Sequence, residues 1–183
     1  MTKRRRTESS VAEEEVQRHL ARLEALREID GAIMRESDLG KVLRLVVDSA
    51  RKLTGARVVE IVLVDPAKQE ALMAVRSGLK RGECRVKEES SSVKGVDWRI
   101  VEKGMTVRVE DVTKEPDSIG VPEGHPLLRG LLGVPIKDTQ GQGIALFLLT
   151  DKEGGGHFTP EDQEIVETFA AQAAIAIENR YPD

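Results

Sequence analysis

Cysteine and aromatic residues are scarce in this sequence. Cys84 is the single cysteine among 183 residues, so no intrachain disulfide can form. Aromatic residues make up 3% of the chain and are not interleaved with basic residues, as they are on platforms for single-stranded nucleic acid. The formal net charge of -4 gives no general attraction to phosphate backbones. The composition therefore predicts neither a disulfide framework nor a nucleic-acid partner.

Long apolar runs are also missing. No stretch reaches the length of about 20 apolar residues that a membrane-spanning helix needs. The N-terminal segment MTKRRRTESS is basic but has no apolar stretch after it, unlike a secretory signal. Hydrophobic residues make up 39% and charged residues 33% of the chain, which is typical of one globular domain. We expect a cytoplasmic protein without a membrane span.

The first 36 residues divide into two segments. Residues 1–9 are predicted to be a disordered basic tail, although the run from Lys3 to Arg6 could also touch phosphate or an anionic membrane. Residues 10–36 are predicted to form a dimerisation or signalling helix, which begins with the capping-box pattern of Ser10 and Glu13. Its narrow apolar stripe favours a two-helix seam between copies of the chain, and the alternative is packing on its own domain. The stripe consists of Val16, Leu20, Leu23 and Ile33, with Leu26 or Arg27 and Asp30 at the remaining positions.

Residues 37–183 carry the pattern of an α+β domain. A helix at 39–53 is predicted to begin at Ser37 or Asp38 and to end at Gly55. A last helix at 160–179 begins with Thr159 as cap, Pro160 in the first turn and Asp162 three residues past the cap. Between these helices, the sequence predicts a short helix at 96–103 and strands at 57–64, 70–76, 106–109, 130–137 and 143–150. Short connections between neighbouring strands favour antiparallel pairing.

Several of these segments together resemble the GAF domain family. They are WRIVEKGMTVRVEDV at 98–112, GLLGVPI at 130–136, GIALFLLTDK at 143–152 and FTPEDQEIVETFAAQAAIAIEN at 158–179. The resemblance covers about residues 38–180. It implies a six-stranded antiparallel sheet with helices packed on one face, a ligand pocket on the other face, and dimerisation through long terminal helices.

A closer local similarity concerns the segment DSIGVPEGHPLLRGLLGVPI at 117–136, which is similar to haem-binding GAF domains of DevS/DosT-type histidine kinases. This likeness implies His125 as a possible axial ligand of haem iron, and neutral imidazole suits that role. The same residues would equally suit packing of a loop. The candidate pocket residues are Trp98, Ile119, Val121, Leu127, Leu128, Phe147 and Leu148. Two features depart from the haem pattern: the strand from Ala145 to Leu149 has no tyrosine, and Trp98 stands where a small residue is usual.

Other family chemistries match only in part. Lys152, Phe158 and Asp162 resemble a degraded cyclic-nucleotide motif, and we expect Lys152 and Asp162 to form a structural ion pair. Related methionine sulfoxide reductases use several cysteines, and the single Cys84 cannot form their recycling disulfide. Cys84 also lacks the usual bilin-attachment setting, since Arg85 follows it. The sequence therefore predicts no enzyme and no metal site apart from the possible haem iron.

The favoured function is a sensory or regulatory module, as in two-component signalling, that binds a small ligand and transmits a signal through a helical homodimer. Its output would come from a partner protein or a fused output domain. One alternative is a haem-binding gas or redox sensor with His125 as axial ligand. Another is a ligand-free scaffold for dimerisation or partner docking.

Overall fold

The computed structural model describes residues 2–68, 70–78, 96–114 and 129–180. The helices are α1 (Thr2–Arg35), α2 (Leu39–Thr54), α3 (Val96–Lys103) and α4 (Pro160–Glu178), with a short 3-10 turn at Val112–Lys114. The strands are β1 (Ala56–Asp65), β2 (Glu70–Ser77), β3 (Val107–Val109), β4 (Leu131–Lys137) and β5 (Gly143–Lys152). The predicted α+β class is confirmed.

Local capping fixes the ends of α2 and α4. The Asp38 side chain accepts a hydrogen bond from the backbone N–H of Lys41, and Gly55 ends α2 in the left-handed region at φ 67°. A residue with a Cβ is disfavoured there, so glycine suits this stop. At α4 the Thr159 hydroxyl accepts from the N–H of Asp162, while the Asp162 carboxylate accepts from the N–H of Thr159. This reciprocal capping box was predicted from the sequence and is confirmed.

The strands form one antiparallel sheet in the order β2-β1-β5-β4-β3. The central strand β5 pairs Phe147 with Ile61 of β1 and with Val134 of β4. The described residues form five strands, so the sixth strand implied by the family resemblance is not among them. β3 has only three residues, and β2 carries an irregularity in its register opposite Leu63 and Val64.

The two faces of the sheet are covered differently. Helices α2 and α4, with the C-terminal half of α1, pack on what we call the helix face, where fully buried side chains include Val46, Ile61 and Phe169. Helix α3 lies on the opposite surface, which we call the far face. The buried cluster there consists of Val64, Ile100, Val101, Val112, Leu131 and Leu146. The expectation that the helices pack on one face is therefore wrong for α3. The apolar side chains of α3 pack on the far face because the other helices already cover the helix face.

Gly133 lets α3 approach the far face closely. A Cβ at this position would lie 2.4 Å from Cδ1 of Ile100, well inside van der Waals contact. The absence of a side chain on β4 thus makes room for the fully buried Ile100.

Helix α1 begins at Thr2 rather than at Ser10, so it includes the segment assigned above to a disordered tail. Lysine and arginine are good helix formers, which suits a helical start in this basic run. Its C-terminal half docks through the fully buried Ile29. Leu20 and Leu23 of the predicted stripe are 47% and 60% exposed. None of the described helices is both long and apolar enough to span a bilayer.

Helix α4 uses its apolar stripe within its own domain. Ile165, Phe169, Ala173 and Ala176 are at most 8% exposed and belong to the core on the helix face. The family resemblance implied dimerisation through the terminal helices, but these four side chains are buried within their own chain and are not available to a partner helix. The sheet and α2 already cover this stripe.

Candidate functional site

Most of the predicted pocket residues lie outside the part of the chain that the structure describes. These are His125, Ile119, Val121, Leu127 and Leu128. Cys84, which was not a pocket candidate, also lies outside the described residues. The haem hypothesis at His125 therefore stays a prediction. In the described ranges, no group of three or more His, Cys, Asp or Glu side chains is placed to hold a metal ion.

The three remaining candidates lie on two different faces of the sheet. Phe147 is fully buried on the helix face, whereas Leu148 and Trp98 are partly exposed and pack together with the far-face cluster. Successive side chains of a strand point to opposite faces, so Phe147 and Leu148 cannot line the same pocket. The structure thus brings Trp98 and Leu148 to one surface and places Phe147 in the core.

An ion pair on β1 and β2 adds charge to the far face. Glu60 stands opposite Arg76 on β2 and opposite Leu148 on β5. Directly opposite residues share a face, so all three side chains belong to the far face. Arg76 Nε lies 2.6 Å from Glu60 Oε1, and the two side chains are 30% and 14% exposed. The guanidinium is thus the more accessible partner.

Burial changes the acid–base behaviour of Glu60. The removal of its carboxylate from water raises the pKa of Glu60 above the ordinary value of 4.5, and the guanidinium of Arg76 partly offsets this rise. Desolvation favours the protonated form of Glu60, whereas pairing with Arg76 favours the charged form. Its charge consequently depends on what else occupies the far face.

Thr150 provides a second polar group on the same face. It stands opposite Val58 on β1 and Leu131 on β4, and Leu131 belongs to the far-face cluster. Its hydroxyl oxygen is buried, and none of the described residues gives it a hydrogen-bond partner. A buried hydroxyl without a partner costs about 1–3 kcal/mol. A ligand atom or a bound water at this position would remove that cost.

The residues after Thr150 connect the far face to the rest of the fold. Asp151 adopts a left-handed backbone at φ 51°, and its carboxylate accepts hydrogen bonds from the N–H groups of Arg129 and Gly130 at 2.8 and 2.9 Å. The next residue, Lys152, pairs with Asp162 at the start of α4 at 2.7 Å. The end of β5 thus holds both the start of β4 and the first turn of α4.

The same end of α4 contacts α1. Arg22 donates a hydrogen bond to the Thr168 hydroxyl at 2.8 Å and lies 3.7 Å from the Glu164 carboxylate. Arg18 lies 3.6 Å from Glu161 in a more exposed pair. Residue numbers rise together along the two helices, so they lie side by side in the same direction. A chain of contacts therefore joins the far face, through β5 and α4, to α1.

A shallow cleft of about 400 Å³ lies elsewhere, between the edge of β4 and α4. Its one described carboxylate, Glu167, already accepts from the Thr106 hydroxyl and the Gln163 amide, both at 2.9 Å. Polar groups that are already paired offer less to a ligand than the Thr150 hydroxyl, which has no partner among the described residues.

Glu60, Arg76 and Thr150 are not among the residues that the sequence predicts for the site. A signal for Glu60 exists, because it is the one charged residue within the run VVEIVLV of an otherwise apolar strand. Its partner could not be read from the sequence, since the register between β1 and β2 places Arg76 opposite Glu60. Thr150 looks like an ordinary strand residue until its neighbours are known.

Solved structures of other proteins share this architecture. A GAF domain from a phosphoenolpyruvate-protein phosphotransferase of Coxiella burnetii is 23% identical and superposes with a TM-score of 0.73, over 87% of this chain and 94% of that one. The corresponding domain from Acinetobacter is 21% identical with a TM-score of 0.68, over 88% and 96%. The free methionine-R-sulfoxide reductase of Neisseria meningitidis, solved with its substrate, is 24% identical with a TM-score of 0.69, over 90% and 92%. These likenesses show the fold.

Membership of a family rests on the sequence itself. The GAF domain family model matches residues 36–178, which is most of the chain. The match spans α2, the whole sheet, α3 and α4, and it begins at the junction that follows α1. The chain therefore belongs to the GAF domain family.

Proposed function

We propose that this chain is a non-catalytic sensory module whose far face binds a small ligand and whose α1 helix transmits the bound state across a homodimer. The observation that carries the proposal is the difference between the two faces of the sheet. On the helix face the central Phe147 is fully buried, whereas on the far face its neighbour Leu148 and Trp98 are partly exposed. The far face also has the buried Thr150 hydroxyl, which has no hydrogen-bond partner among the described residues. Apolar surface with a few converging polar groups is the usual composition of a small-ligand site.

Transmission is supported by the contacts at the end of β5. A ligand that bonds to Thr150 acts on the strand residue two positions before Lys152, and Lys152 holds the first turn of α4 through Asp162. Glu161 of that turn pairs with Arg18 of α1. A ligand can shift α1 only if it binds one arrangement of these contacts more tightly than the other.

The dimer is proposed to form through α1 alone. Val11, Val16, Leu20 and Leu23 are 47–60% exposed and all precede Ile29, the residue through which α1 is fully buried in its own domain. Contiguous exposed apolar residues on one helix favour pairing with a second copy. Arg18 and Arg22 already contact α4, so the apolar residues are the ones left for a partner helix.

The ligand-binding part can be tested with a library of metabolites and a melting assay. We expect at least one compound to raise the Tm of the wild-type protein in a concentration-dependent way, because a ligand that binds only the folded state stabilises it. Thr150→Val keeps the side-chain shape but removes the hydroxyl, and should weaken that response. Thr139→Val is a matched control, since this exposed hydroxyl contacts Glu178 in the turn after β4, far from the site.

A wild-type protein that responds to no compound, and that carries no small molecule in native mass spectrometry, would contradict ligand binding. The module would then be a ligand-free scaffold for dimerisation or partner docking. An equal response of the wild type and Thr150→Val would show that the ligand does not bind the Thr150 hydroxyl and would remove the proposed route from Thr150 to α4.

A further inference from the structure

Arg76 has unused hydrogen-bonding capacity on the far face. Within the described residues, its guanidinium contacts the Glu60 carboxylate through Nε, and neither Nη nitrogen has a partner there. The side chain as a whole is 30% exposed, about twice the exposed fraction of Glu60. A guanidinium presents a planar fork of donors that matches a carboxylate or a phosphate.

Glu60 orients this fork. Its carboxylate is only 14% exposed and binds the Nε side of the guanidinium, so among the described residues the Nη edge keeps its donors. A buried ion pair contributes little net stability to a fold, because desolvation of the charges offsets much of their attraction. The desolvation of Glu60 and Arg76 is compatible with a different role, in which Glu60 holds the Arg76 guanidinium in one orientation.

Apolar side chains lie next to the charged pair. Val62 follows Glu60 by two residues on the same face and stands opposite Ala74, while Leu148 stands opposite Glu60 itself. Val62 and Leu148 are both partly buried in the far-face cluster that includes Trp98. A ligand whose charged group met Arg76 would therefore place its remaining atoms against apolar surface.

We propose that the far face takes a small organic anion, with a carboxylate or phosphate on the Nη edge of Arg76 and an apolar body against Val62 and Leu148. This inference rests on the proposed function and specifies the chemical class of its ligand. Glu60 is a positioning residue in this arrangement, since it acts through Arg76. A carboxylate and a phosphate would both bind the guanidinium through the same hydrogen bonds, and the experiment below distinguishes between them.

The test measures dissociation constants by calorimetry for three probes of similar apolar size: benzoate, phenyl phosphate and neutral benzyl alcohol. All titrations use the same ionic strength, because exposed charge interactions are screened by salt. We expect wild-type protein to bind at least one of the two anions more tightly than benzyl alcohol. The tighter of the two identifies the charged group. Arg76→Gln should weaken anion binding by about tenfold or more, since a charge-assisted hydrogen bond is lost.

Two further variants make the result specific. Arg57→Gln removes an exposed arginine from the same strand as Glu60 and should bind the probes like the wild type. Arg76→Lys keeps a charge beside Glu60 but loses the planar fork, and should weaken anion binding less than Arg76→Gln does. If circular dichroism shows that Arg76→Gln fails to fold, Arg76→Lys replaces it as the test of the guanidinium.

Equal anion affinities in the wild type and the folded Arg76 variants would overturn the inference. So would binding of benzyl alcohol as tight as that of the anions, or no binding of any probe to the wild type. A neutral ligand found in the library assay, with its response lost in Thr150→Val but kept in Arg76→Gln, would overturn the anion assignment and leave the proposed function intact.

Discussion

Lys152 Nζ lies 2.7 Å from Asp162 Oδ2, and this contact joins the last residue of β5 to the first turn of α4. The two side chains are 22% and 8% exposed, so water screens the pair weakly. The same carboxylate oxygen accepts the backbone N–H of Thr159 at 2.7 Å. Asp162 thus serves the ion pair and the helix cap together, and the pairing expected from the sequence is confirmed.

Asp162→Asn should lower the free energy of unfolding by about 2 kcal/mol, because Lys152 would keep a poorly solvated charge without its carboxylate. Urea denaturation followed by circular dichroism measures this change. Glu153→Gln is the matched control, since Glu153 pairs with Arg51 at 2.9 Å with both side chains exposed. That control should cost less than about 1 kcal/mol. Equal losses in the two variants would show that the buried pair behaves like a surface contact.

Gly133→Ala should destabilise the fold by about 1–3 kcal/mol, because the new Cβ would collide with the buried Ile100 of α3. The free energy of unfolding and hydrogen exchange in α3 report the effect. At Gly130 the nearest atoms to a new Cβ lie 3.9 Å away, so Gly130→Ala should change stability by less than about 1 kcal/mol. If Gly133→Ala changed neither the free energy of unfolding nor the hydrogen exchange of α3, then α3 would not be held closely against β4.

Replacement of both Leu20 and Leu23 by glutamate should convert a homodimer into monomers and leave the melting of the domain nearly unchanged. Charged residues would then occupy an apolar helix seam. Light scattering after gel filtration gives the molar mass. Leu72→Glu is the control, because Leu72 is 64% exposed on β2 and far along the chain from α1. Wild-type protein that stays monomeric at high micromolar concentration would contradict the proposed seam.

The pKa of Glu60 predicts a pH-dependent contribution to stability. Its pKa is raised in the folded state above 4.5, so the folded state binds more protons than the unfolded state as the pH rises beyond that value. The contribution of Glu60 to the free energy of unfolding is therefore present at low pH and is lost between about pH 4.5 and the raised pKa. Glu60→Gln cannot titrate, so its stability should fall less than that of the wild type across this window.

Urea denaturation of both proteins from acid to neutral pH gives the difference, and the subtraction cancels the titration of all other groups. Parallel curves for the two proteins would show that the pKa of Glu60 is the same in the folded and unfolded states.

The haem alternative makes its own prediction. If His125 ligates iron, haem-reconstituted protein should show a Soret band at stoichiometric loading, and the ferrous form should bind carbon monoxide at the open sixth position. His125→Ala should abolish the band, whereas His157→Ala, which replaces another histidine, should keep it. Haem uptake by the wild type that is no better than uptake by His125→Ala would remove haem from consideration.

The sequence by itself determined the ends of α2 and the start of α4, although not the start of α1. Asp38 and Gly55 mark the ends of α2, and Thr159, Pro160 and Asp162 mark the start of α4, within a residue of the predicted bounds. Caps and turns depend on contacts among residues a few positions apart, so the sequence contains all the information they need. The order of helices and strands followed from the same local patterns, and the family resemblance followed from that order.

Only the tertiary structure decided which elements each apolar face packs against. Alternation along β5 shows that Phe147 and Leu148 differ in direction, but the packing of α2 and α4 decides that Phe147 is the buried one. The apolar stripe of α4 packs in the domain's own core, and only the structure shows this, because a stripe specifies burial without specifying what covers it. The pairing of Glu60 with Arg76 depends on strand register across 16 positions of sequence. The candidate ligand site therefore comes from contacts between distant strands, whereas the helices and strands that carry it come from neighbours along the chain.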